Sequence, residues 1–427
     1  MAIDPNDLPK DYYPHDEATL SAYLRGVPTV AECLGDPPEQ WRIEEIGDGN
    51  LNLVFIVRGP AGGVAVKQAL PYVRLVGESW PLPLSRAHYE HLALSEQIRH
   101  APQRVPVIYH YDESLALIVM ELLSPHIIMR QGMIKAIPYP KFAEHISAFM
   151  ANTLFFTSDL ALSAAEKKRR IGEFCGNTAL CKITEDLIFT EPYTLADNNR
   201  WTSPQLDADA RAVREDGPLK IAISELKVKF LSATQALIHG DLHTGSIMVT
   251  ADDTRVIDPE FAYFGPMGFD IGAVLGNLLL NYFSQDGHAT PGDSRAEYQH
   301  WVLAQAEAVW RGFDRQFREL WNTRRRGDAY PDALFAADPG ALNAARDRYM
   351  KELFADTIGF AAAKMIRRIL GLAHNIDLEW IADADRRAAC ERRCLRLARE
   401  LMVNRNTFAT VEEITAAARD VRSQTAG

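Results

Sequence analysis

The period of the hydrophobic and polar positions changes along this chain. Up to about residue 122, short apolar runs alternate with polar positions, which predicts β-strands at 41–46, 51–58, 64–67, 105–112 and 115–122, with helices near 17–24 and at 86–99. Beyond that point apolar residues recur about every 3.6 positions. This spacing predicts helices at 139–160, 219–237, 296–323, 339–374, 383–402 and 411–421, and another that starts at Phe269.

The segments between these elements predict loops and an N-terminal extension. Residues 71–84 contain Trp80 among prolines and a glycine and are expected to form a mobile loop, and the polar residues 198–218 a second loop. The pattern therefore predicts an α+β fold with two lobes. An extension at 1–38 precedes an antiparallel β-rich lobe at 39–122, and a mainly helical lobe follows at 123–427.

Composition excludes several classes of protein. A formal net charge of −11 over 427 residues argues against a general binder of nucleic acid or anionic membranes. The start of the chain has neither a basic segment nor an apolar run, and no apolar stretch approaches the roughly 20 residues of a membrane helix. Five cysteines in a chain of this kind are expected to be reduced thiols, which predicts a cytoplasmic protein.

The stretch 236–260 carries the strongest chemical signal. An apolar run leads into His239-Gly240-Asp241, a second apolar run follows, and a third ends in Asp258-Pro259-Glu260. This is the layout of a phosphotransferase catalytic loop followed by a metal turn. Asp241 is predicted to be the general base that accepts the proton of an attacking hydroxyl.

Asp258 and Glu260 are the predicted Mg²⁺ ligands. If the segment is extended, side chains two residues apart face the same side, and carboxylate oxygens suit Mg²⁺. Asp270, at the start of the next helix, is predicted to cap that helix and to hold the catalytic loop.

The β-rich part predicts a nucleotide site. A glycine-containing turn lets backbone N–H groups approach phosphate oxygens, and a lysine on the third strand, Lys67, then pairs with the α and β phosphates of ATP. Glu90 on the following helix is predicted to hold Lys67, with Glu96 as the alternative. Backbone groups from Glu121 to Leu123 are predicted to meet the adenine. The turn residues are Gly47, Asp48, Gly49, Asn50 and Asn52, with Asn52 where a third glycine is usual.

Three other features allow alternative interpretations. His239 and His243 have zinc-ligand spacing, but glycines interrupt the helix that such a site requires and no third ligand is evident. Cys390 and Cys394 are predicted to be two thiols on one helix face. The adjacent Arg367 and Arg368 have apolar flanks, so they require anionic or hydroxyl-rich partners.

Taken together, these motifs closely resemble the S-methyl-5-thioribose kinase family within the aminoglycoside phosphotransferase superfamily. The resemblance runs from about residue 6 to about residue 409 and rests on segments 47–52, 66–74, 77–82, 239–246 and 258–261 and the arginine pair. It implies a protein-kinase-like fold, a homodimer, and ATP- and Mg²⁺-dependent phosphorylation of the 1-hydroxyl of 5-methylthioribose in methionine salvage. It also implies that Asp241, His243, Arg367 and Arg368 lie at the sugar site.

Two other functions compete with this one. A related kinase would act on a hydroxyl of an aminoglycoside, choline or homoserine, although the arginine pair argues against the two cationic substrates. A nucleotide-binding pseudokinase would lack at least one of Lys67, Asp241 and Asp258, and all three are present.

Overall fold

A computed structural model describes residues 9–46, 51–73 and 77–424. The chain divides into two units, and each is described by itself. The first unit contains the residues up to His126 together with the segments Asn177–Leu180 and Arg255–Ala262. The second unit contains the segments Ile127–Gly176 and Cys181–Thr254 and the residues from Tyr263 onward.

The first unit is built on antiparallel strands. Its elements are α1 (Glu17–Arg25), α2 (Pro28–Leu34), β1 (Arg42–Glu45), β2 (Asn52–Arg58), β3 (Gly63–Ala69), β4 (Tyr72–Val73), β5 (Gly77–Pro81), α3 (Arg86–His100), β6 (Ile108–Asp112) and β7 (Leu117–Glu121). Five strands form one sheet in the order β1-β2-β3-β7-β6, and every neighbouring pair is antiparallel.

Alternation along β3 decides which side of the sheet carries Lys67. Val64 and Val66 are buried in a core that includes Leu20 and Leu24 of α1 and Phe55 of β2. Since neighbouring residues of a strand point to opposite faces, Lys67 leaves the sheet on the side away from this core. The lysine lies inside β3 rather than at its end, where the sequence placed it.

The segment 71–84 is not the loop that the sequence predicted. Strands β4 and β5 pair antiparallel within it, and Trp80 is part of β5. Pro81 is the last residue of β5, a position at which a proline is compatible with a strand. Ser85 stands at the N-cap of α3 as predicted, but its side chain makes no capping hydrogen bond, because its backbone is already helical.

The rest of the chain is mainly helical. The helices are α4 (Met129–Ile134), α5 (Phe142–Phe156), α6 (Ala164–Phe174), α7 (Thr178–Leu187), α8 (Asp207–Glu215), α9 (Gly217–Ser232), α10 (Met267–His288), α11 (Ala296–Arg324), α12 (Asp332–Phe335), α13 (Pro339–Leu370), α14 (Ile376–Glu379), α15 (Ala384–Val403) and α16 (Val411–Gln424). The strands are β8 (Ile127–Ile128), β9 (Ala236–Ile238), β10 (Ile247–Val249), β11 (Thr254–Val256) and β12 (Tyr263–Gly265). Strand β8 pairs with β10, and β9 pairs with β12.

Helix α10 is the buried centre of the second unit, and α13 packs directly on it. Two glycines of α10 permit this close packing. A Cβ on Gly272 would stand 2.6 Å from the Thr357 carbonyl oxygen, and one on Gly276 would stand 2.7 Å from that of Ala361. Because real Cβ atoms do not approach so closely, the glycines set the distance between the two helices.

Two predicted boundaries in this unit were wrong. The predicted loop 198–218 contains the helix α8, whose aspartates in the first turn favour a helix start. The helix predicted at 219–237 ends at Ser232, and residues 236–238 form β9. Cys390 and Cys394 are free, buried thiols on α15.

The predicted fold class, α+β with an antiparallel sheet in the N-terminal part and a mainly helical remainder, is confirmed. Among the described helices, none combines the length and the apolar character that crossing a membrane would require.

Candidate active site

Three carboxylates of the first unit meet in what we call the acidic cluster: Glu90, Asp258 and Glu260. One carboxylate oxygen from each lies within 4.8 Å of the others. Glu90 comes from α3, while Asp258 and Glu260 come from the turn after β11. The structure thus brings both predicted metal ligands together and adds a third carboxylate, which the sequence had assigned only to Lys67.

The backbone of this turn differs from the prediction. Asp258 has a φ of +70°, so the segment is not extended and the two carboxylates do not converge through strand alternation. Asp and Asn tolerate this left-handed conformation better than most residues. The Asn177 side-chain amide donates to the carbonyl oxygens of Glu260 and Ala262 at 2.9 and 3.0 Å, which fixes the turn.

Lys67 binds to the acidic cluster. Its ammonium donates to Glu90 Oε1 at 2.9 Å and also contacts Asp258 Oδ1. The alternative partner, Glu96, is instead paired with Arg99 and His100 on its own helix. The structure therefore places Glu90, and not Glu96, beside Lys67.

Two further residues hold Glu260 in place. Arg86 is fully buried, with its Nε 3.4 Å from Glu260 Oε2 and one Nη donating to Asn52 Oδ1 at 3.0 Å. Asn52 in turn donates to Glu260 Oε2 at 3.2 Å. Both ends of the Asn52 amide are thus used within the first unit, so Asn52 positions Glu260, and a direct contact with ATP stays a prediction.

Only some of the other residues predicted to bind the nucleotide belong to the part of the chain that the structure describes. Gly47, Asp48, Gly49 and Asn50 lie outside the described residues. Leu123 follows the end of β7, where the chain has left the strand.

Glu121 is the last residue of β7, and its backbone N–H is not free as the sequence predicted. Its N–H donates to the Val107 carbonyl at 2.8 Å, so this N–H is not available to an adenine. Its carboxylate lies 3.3 Å from Arg255.

The catalytic loop belongs to the second unit and is held by Asp270. The backbone N–H groups of His239 and Gly240 donate to the two Asp270 oxygens at 2.6 and 3.0 Å. Gly240 has a φ of +83°, a conformation that favours glycine. Asp270 therefore holds the loop as predicted, but the helix cap position is Pro266 and not Asp270.

Donors approach both carboxylate oxygens of Asp241. The Lys364 ammonium donates to Oδ1 at 2.9 Å, and His243 Nε2 lies 3.3 Å from Oδ2. Together with the buried guanidinium groups of Arg130, Arg367 and Arg368, these residues form what we call the Asp241 cluster.

Hydrogen bonds determine the form of His243. Its Nδ1 accepts the backbone N–H groups of Gly245 and Ser246 at 3.0 and 3.1 Å, so the ring proton must be on Nε2, facing Asp241. His239 Nδ1 likewise accepts the N–H of Asp241 at 3.2 Å. These backbone bonds occupy Nδ1 of each ring, and the metal-ligand group found among the described residues contains neither histidine. The structure therefore gives the zinc interpretation no support.

The arginine pair lies close to Asp241 but is poorly partnered. Both Arg367 and Arg368 reach the carbonyl oxygen of Ala373 at 3.3 Å, and within the described chain their buried Nε atoms have no hydrogen-bond partner. A buried guanidinium that lacks partners is costly unless a ligand supplies them. The structure thus supports a ligand site at this pair.

Comparison with known proteins places the chain in a family. The sequence pattern of the phosphotransferase enzyme family (APH) matches residues 42–314. Methylthioribose kinase 1 of Oryza sativa subsp. japonica is 49% identical over 406 residues, which cover 94% of each chain. Methylthioribose kinase of Escherichia coli O45:K1 is 45% identical, covering 97% of this chain and 99% of its own. The chain belongs to the methylthioribose kinase family. It is a phosphotransferase with the predicted kinase-like fold.

One further relative and one solved structure were compared with the chain. Methylthioribose kinase of Geobacillus thermodenitrificans is 44% identical over 84% of this chain and 86% of its own. Among solved structures, a glucosamine kinase (crystal form B) overlaps 90% of this chain and 84% of its own with a TM-score of 0.46 and 13% identity.

Charge in this methylthioribose kinase family member is distributed unevenly between the two clusters. Burial raises the pKa of Glu90 and Glu260; Lys67 opposes that shift, and the neighbouring carboxylates add to it. Burial alone would lower the pKa of Lys67, but the three carboxylates raise it above its ordinary value. Burial and mutual repulsion thus disfavour the ionised forms of Glu90 and Glu260, and a further cation at this cluster would favour them.

The Asp241 cluster has the opposite imbalance. Burial favours a higher pKa for Asp241, yet Lys364, His243 and Arg368 hold it well below its usual range. Burial lowers the pKa of His243 to about 3 despite the nearby Asp241 carboxylate. At neutral pH Asp241 is therefore an anion and His243 a neutral hydrogen-bond donor.

Several residues of both clusters were missed in the sequence. Lys364 stands three and four residues before the arginine pair, so it shares their helix face, and this spacing was a usable signal. Arg130 donates to Thr244 Oγ1 at 3.1 Å and to Asn277 Oδ1 at 3.0 Å, but nothing in its neighbourhood in the sequence marks it. In the sequence, Arg86 likewise looks like an ordinary first residue of a helix.

Proposed function

We propose that this chain transfers the terminal phosphoryl group of ATP to the 1-hydroxyl of 5-methylthioribose, a step of methionine salvage. One observation of geometry carries the proposal. Asp241, an anion on a fixed loop, has both oxygens oriented by donors and stands beside a pair of buried arginines with unused hydrogen-bonding capacity. The near full-length similarity to methylthioribose kinases supports the choice of sugar.

In the proposed step, the oxygen of the 1-hydroxyl bonds to the γ-phosphorus of ATP. The bond from that phosphorus to the β,γ-bridging oxygen breaks, and its electron pair leaves with ADP. The hydroxyl proton passes to Asp241. The cations around Asp241 keep its carboxylate ionised, so it can orient the hydroxyl and accept its proton.

The first unit is proposed to bind ATP and Mg²⁺. Lys67 would contact the α and β phosphates, and the turn 47–50 would supply backbone N–H groups to the phosphate oxygens. Backbone groups near Glu121 and Leu123 would meet the adenine.

The acidic cluster fits a magnesium ion. It offers three oxygen ligands within 4.8 Å of one another, and a cation bound there would favour the ionised carboxylates that burial and mutual repulsion disfavour. Asp258 and Glu260 would hold the ion, with Glu90 beside them. When bound, Mg²⁺ would neutralise charge on the transferring phosphoryl group.

The second unit is proposed to recognise the sugar. Arg367 and Arg368 would donate to its hydroxyl oxygens and to the phosphoryl group as charge develops on it. The neutral His243 keeps Asp241 oriented and lies at the same site. Buried guanidinium groups repel cations, so choline and aminoglycosides fit this cluster poorly. We also propose a homodimer in the cytoplasm, in line with the family resemblance.

A coupled assay of ADP release tests the proposal. The purified chain is offered methylthioribose, ribose, choline, homoserine and kanamycin with ATP and Mg²⁺, and Asp241→Asn serves as the matched control. Methylthioribose should give the highest kcat/KM, and the control should lose that signal. Faster turnover of choline, homoserine or kanamycin would replace the proposed acceptor, and no turnover of any acceptor would overturn the kinase assignment.

A further inference from the structure

The side chain of Lys364 has an unusual environment for a lysine. It is 2% exposed, and its ammonium lies 4.4 Å from the centroid of the Phe269 ring while donating to Asp241 Oδ1 at 2.9 Å. Phe269 itself is buried among other aromatic rings. A charged group in such surroundings carries a desolvation cost that one carboxylate offsets only in part.

The two donors on Asp241 reach different oxygens of its carboxylate. Lys364 approaches Oδ1 from helix α13, and His243 approaches Oδ2 from the loop that carries Asp241. A carboxylate has about four lone-pair directions, so the two bonds leave others open to a substrate hydroxyl. Rotation about the Asp241 side chain would break both bonds, and the carboxylate is therefore held in one orientation.

We propose that Lys364 is a positioning residue for phosphoryl transfer, whose ammonium fixes the Asp241 carboxylate against His243 so that its open lone pairs face the sugar hydroxyl. This inference rests on the proposed function of Asp241 as the base. It adds to that function a residue of α13 which lies three and four positions from the arginine pair, so one helical turn orients both base and sugar.

The charges around Asp241 predict how loss of Lys364 would act. Lys364, Arg367 and Arg368 face it from α13, His243 from its own loop and Arg130 from α4, and the buried Asp270 of α10 also interacts with Lys364. Without Lys364 the carboxylate loses its nearest cation, and its pKa rises. The base is then protonated at a higher pH, so the acid limb of the pH–rate profile moves upward.

Kinetics of Lys364→Met and Lys364→Arg test the role, with Lys229→Met as a matched control. Lys229 pairs with Asp356, which also belongs to α13 but lies outside the Asp241 cluster. We expect Lys364→Met to lower kcat by about tenfold to a thousandfold and to move the acid limb up by about one pH unit or more. KM for ATP should be unchanged, Lys364→Arg should restore part of the rate, and the control should keep the wild-type profile. An unmoved acid limb in Lys364→Met would overturn the proposal.

A second measurement does not depend on activity. Carboxyl-¹³C aspartate labelling, with the Asp241 signal assigned by its loss in Asp241→Asn, reports the titration of this carboxylate directly. The wild-type signal should titrate well below about 3.9, the ordinary value, and Lys364→Met should raise it. A wild-type value at or above the ordinary one would overturn the proposal even if Lys364→Met failed to fold. If no sugar is phosphorylated but the titration behaves as expected, the proposed function fails and the lysine contact stands.

Discussion

The acidic cluster and the Asp241 cluster have opposite arrangements of charge. In the first, three carboxylates surround Lys67, with Arg86 behind Glu260. In the second, one carboxylate, Asp241, is surrounded by an ammonium, guanidinium groups and a neutral histidine. Each cluster is therefore incomplete in a different sense: the first needs a cation, and the second needs an anion or hydroxyl oxygens.

This difference explains why similar lysine–aspartate pairs shift the lysine pKa in opposite directions in the two clusters. Lys67 and Lys364 are both lysines that donate to an aspartate and lie in largely buried sites. Lys67 stands among an excess of carboxylates, so its pKa rises, whereas burial lowers the pKa of Lys364 despite Asp241. A lysine in the first setting can exchange partners with an incoming metal ion or phosphate, and Lys364 in the second donates its hydrogen bond to Asp241 and also acts electrostatically on Asp270.

The largest expected effect comes from removing the charge of the base. Asp241→Asn should lower kcat by roughly 10²–10⁴, because the amide cannot accept the hydroxyl proton. The dissociation constant for ATP, measured by calorimetry, should be unchanged, since the residues proposed to bind ATP belong to the first unit. An Asp241→Asn enzyme that kept its kcat would show that Asp241 is not the base. The contrast in charge between the two clusters would then have no catalytic role.

The acidic cluster is tested by its metal requirement. Asp258→Asn and Glu260→Ala should each raise the Mg²⁺ concentration for half-maximal rate by about tenfold or more, because Asn keeps only an uncharged oxygen ligand and Ala removes the ligand. Asn tolerates the positive φ at position 258, so that variant changes charge without straining the backbone.

Glu96→Gln is the matched control for the metal experiment. It removes a carboxylate of the same helix, α3, that pairs with Arg99 and His100 outside the acidic cluster. A Mg²⁺ titration that is identical for the control and for Glu260→Ala would place the metal elsewhere.

Loss of one guanidinium should have a smaller effect, confined to the acceptor. Arg368→Met is expected to raise KM for methylthioribose by about tenfold to a hundredfold, since hydrogen bonds to charged groups contribute roughly 1.5–3 kcal/mol. KM for ATP should stay constant in the same assay. Arg393→Met, which breaks a pair with Asp286, is the control, and an equal rise of both KM values would argue against a sugar site.

The smallest expected change is in the protonation of His243. Because its pKa is lowered to about 3, its ¹⁵N signals should keep the Nε2–H neutral form between about pH 5 and 8. The unfolded chain binds a proton on this histidine below about pH 6.5 and the folded chain does not, so stability falls as the pH is lowered from there toward 3. Titration of the His243 signal near pH 6.5 would contradict the assigned hydrogen bonds.

The sequence predicted the parts of the site that are contiguous. His239-Gly240-Asp241 and Asp258-Pro259-Glu260 carry their chemistry in short motifs, and Lys67 follows from strand order. Glu90 was predicted as the partner of Lys67 because it lies in the second turn of a helix. These features depend on local spacing, which a single sequence contains.

Long-range contacts were not predictable in the same way. Arg86 and Asn177 reach Glu260 from distant parts of the sequence, and Arg130 reaches the catalytic loop from α4. The positive φ of Asp258 also escaped prediction, because aspartate adopts both that conformation and an extended one. Such contacts depend on how elements pack, so residue type and period alone do not reveal them.

The glycines of α10 have a consequence for anyone who wishes to change the acceptor of this enzyme. Gly272 and Gly276 let α13 lie against α10, and α13 carries Lys364 and the arginine pair about one to three turns further along. A larger residue at either glycine would push α13 away from α10, which would disturb Asp241 and the two arginines together. Engineering of specificity should therefore keep Gly272 and Gly276 and vary the surroundings of Arg367 and Arg368 one side chain at a time.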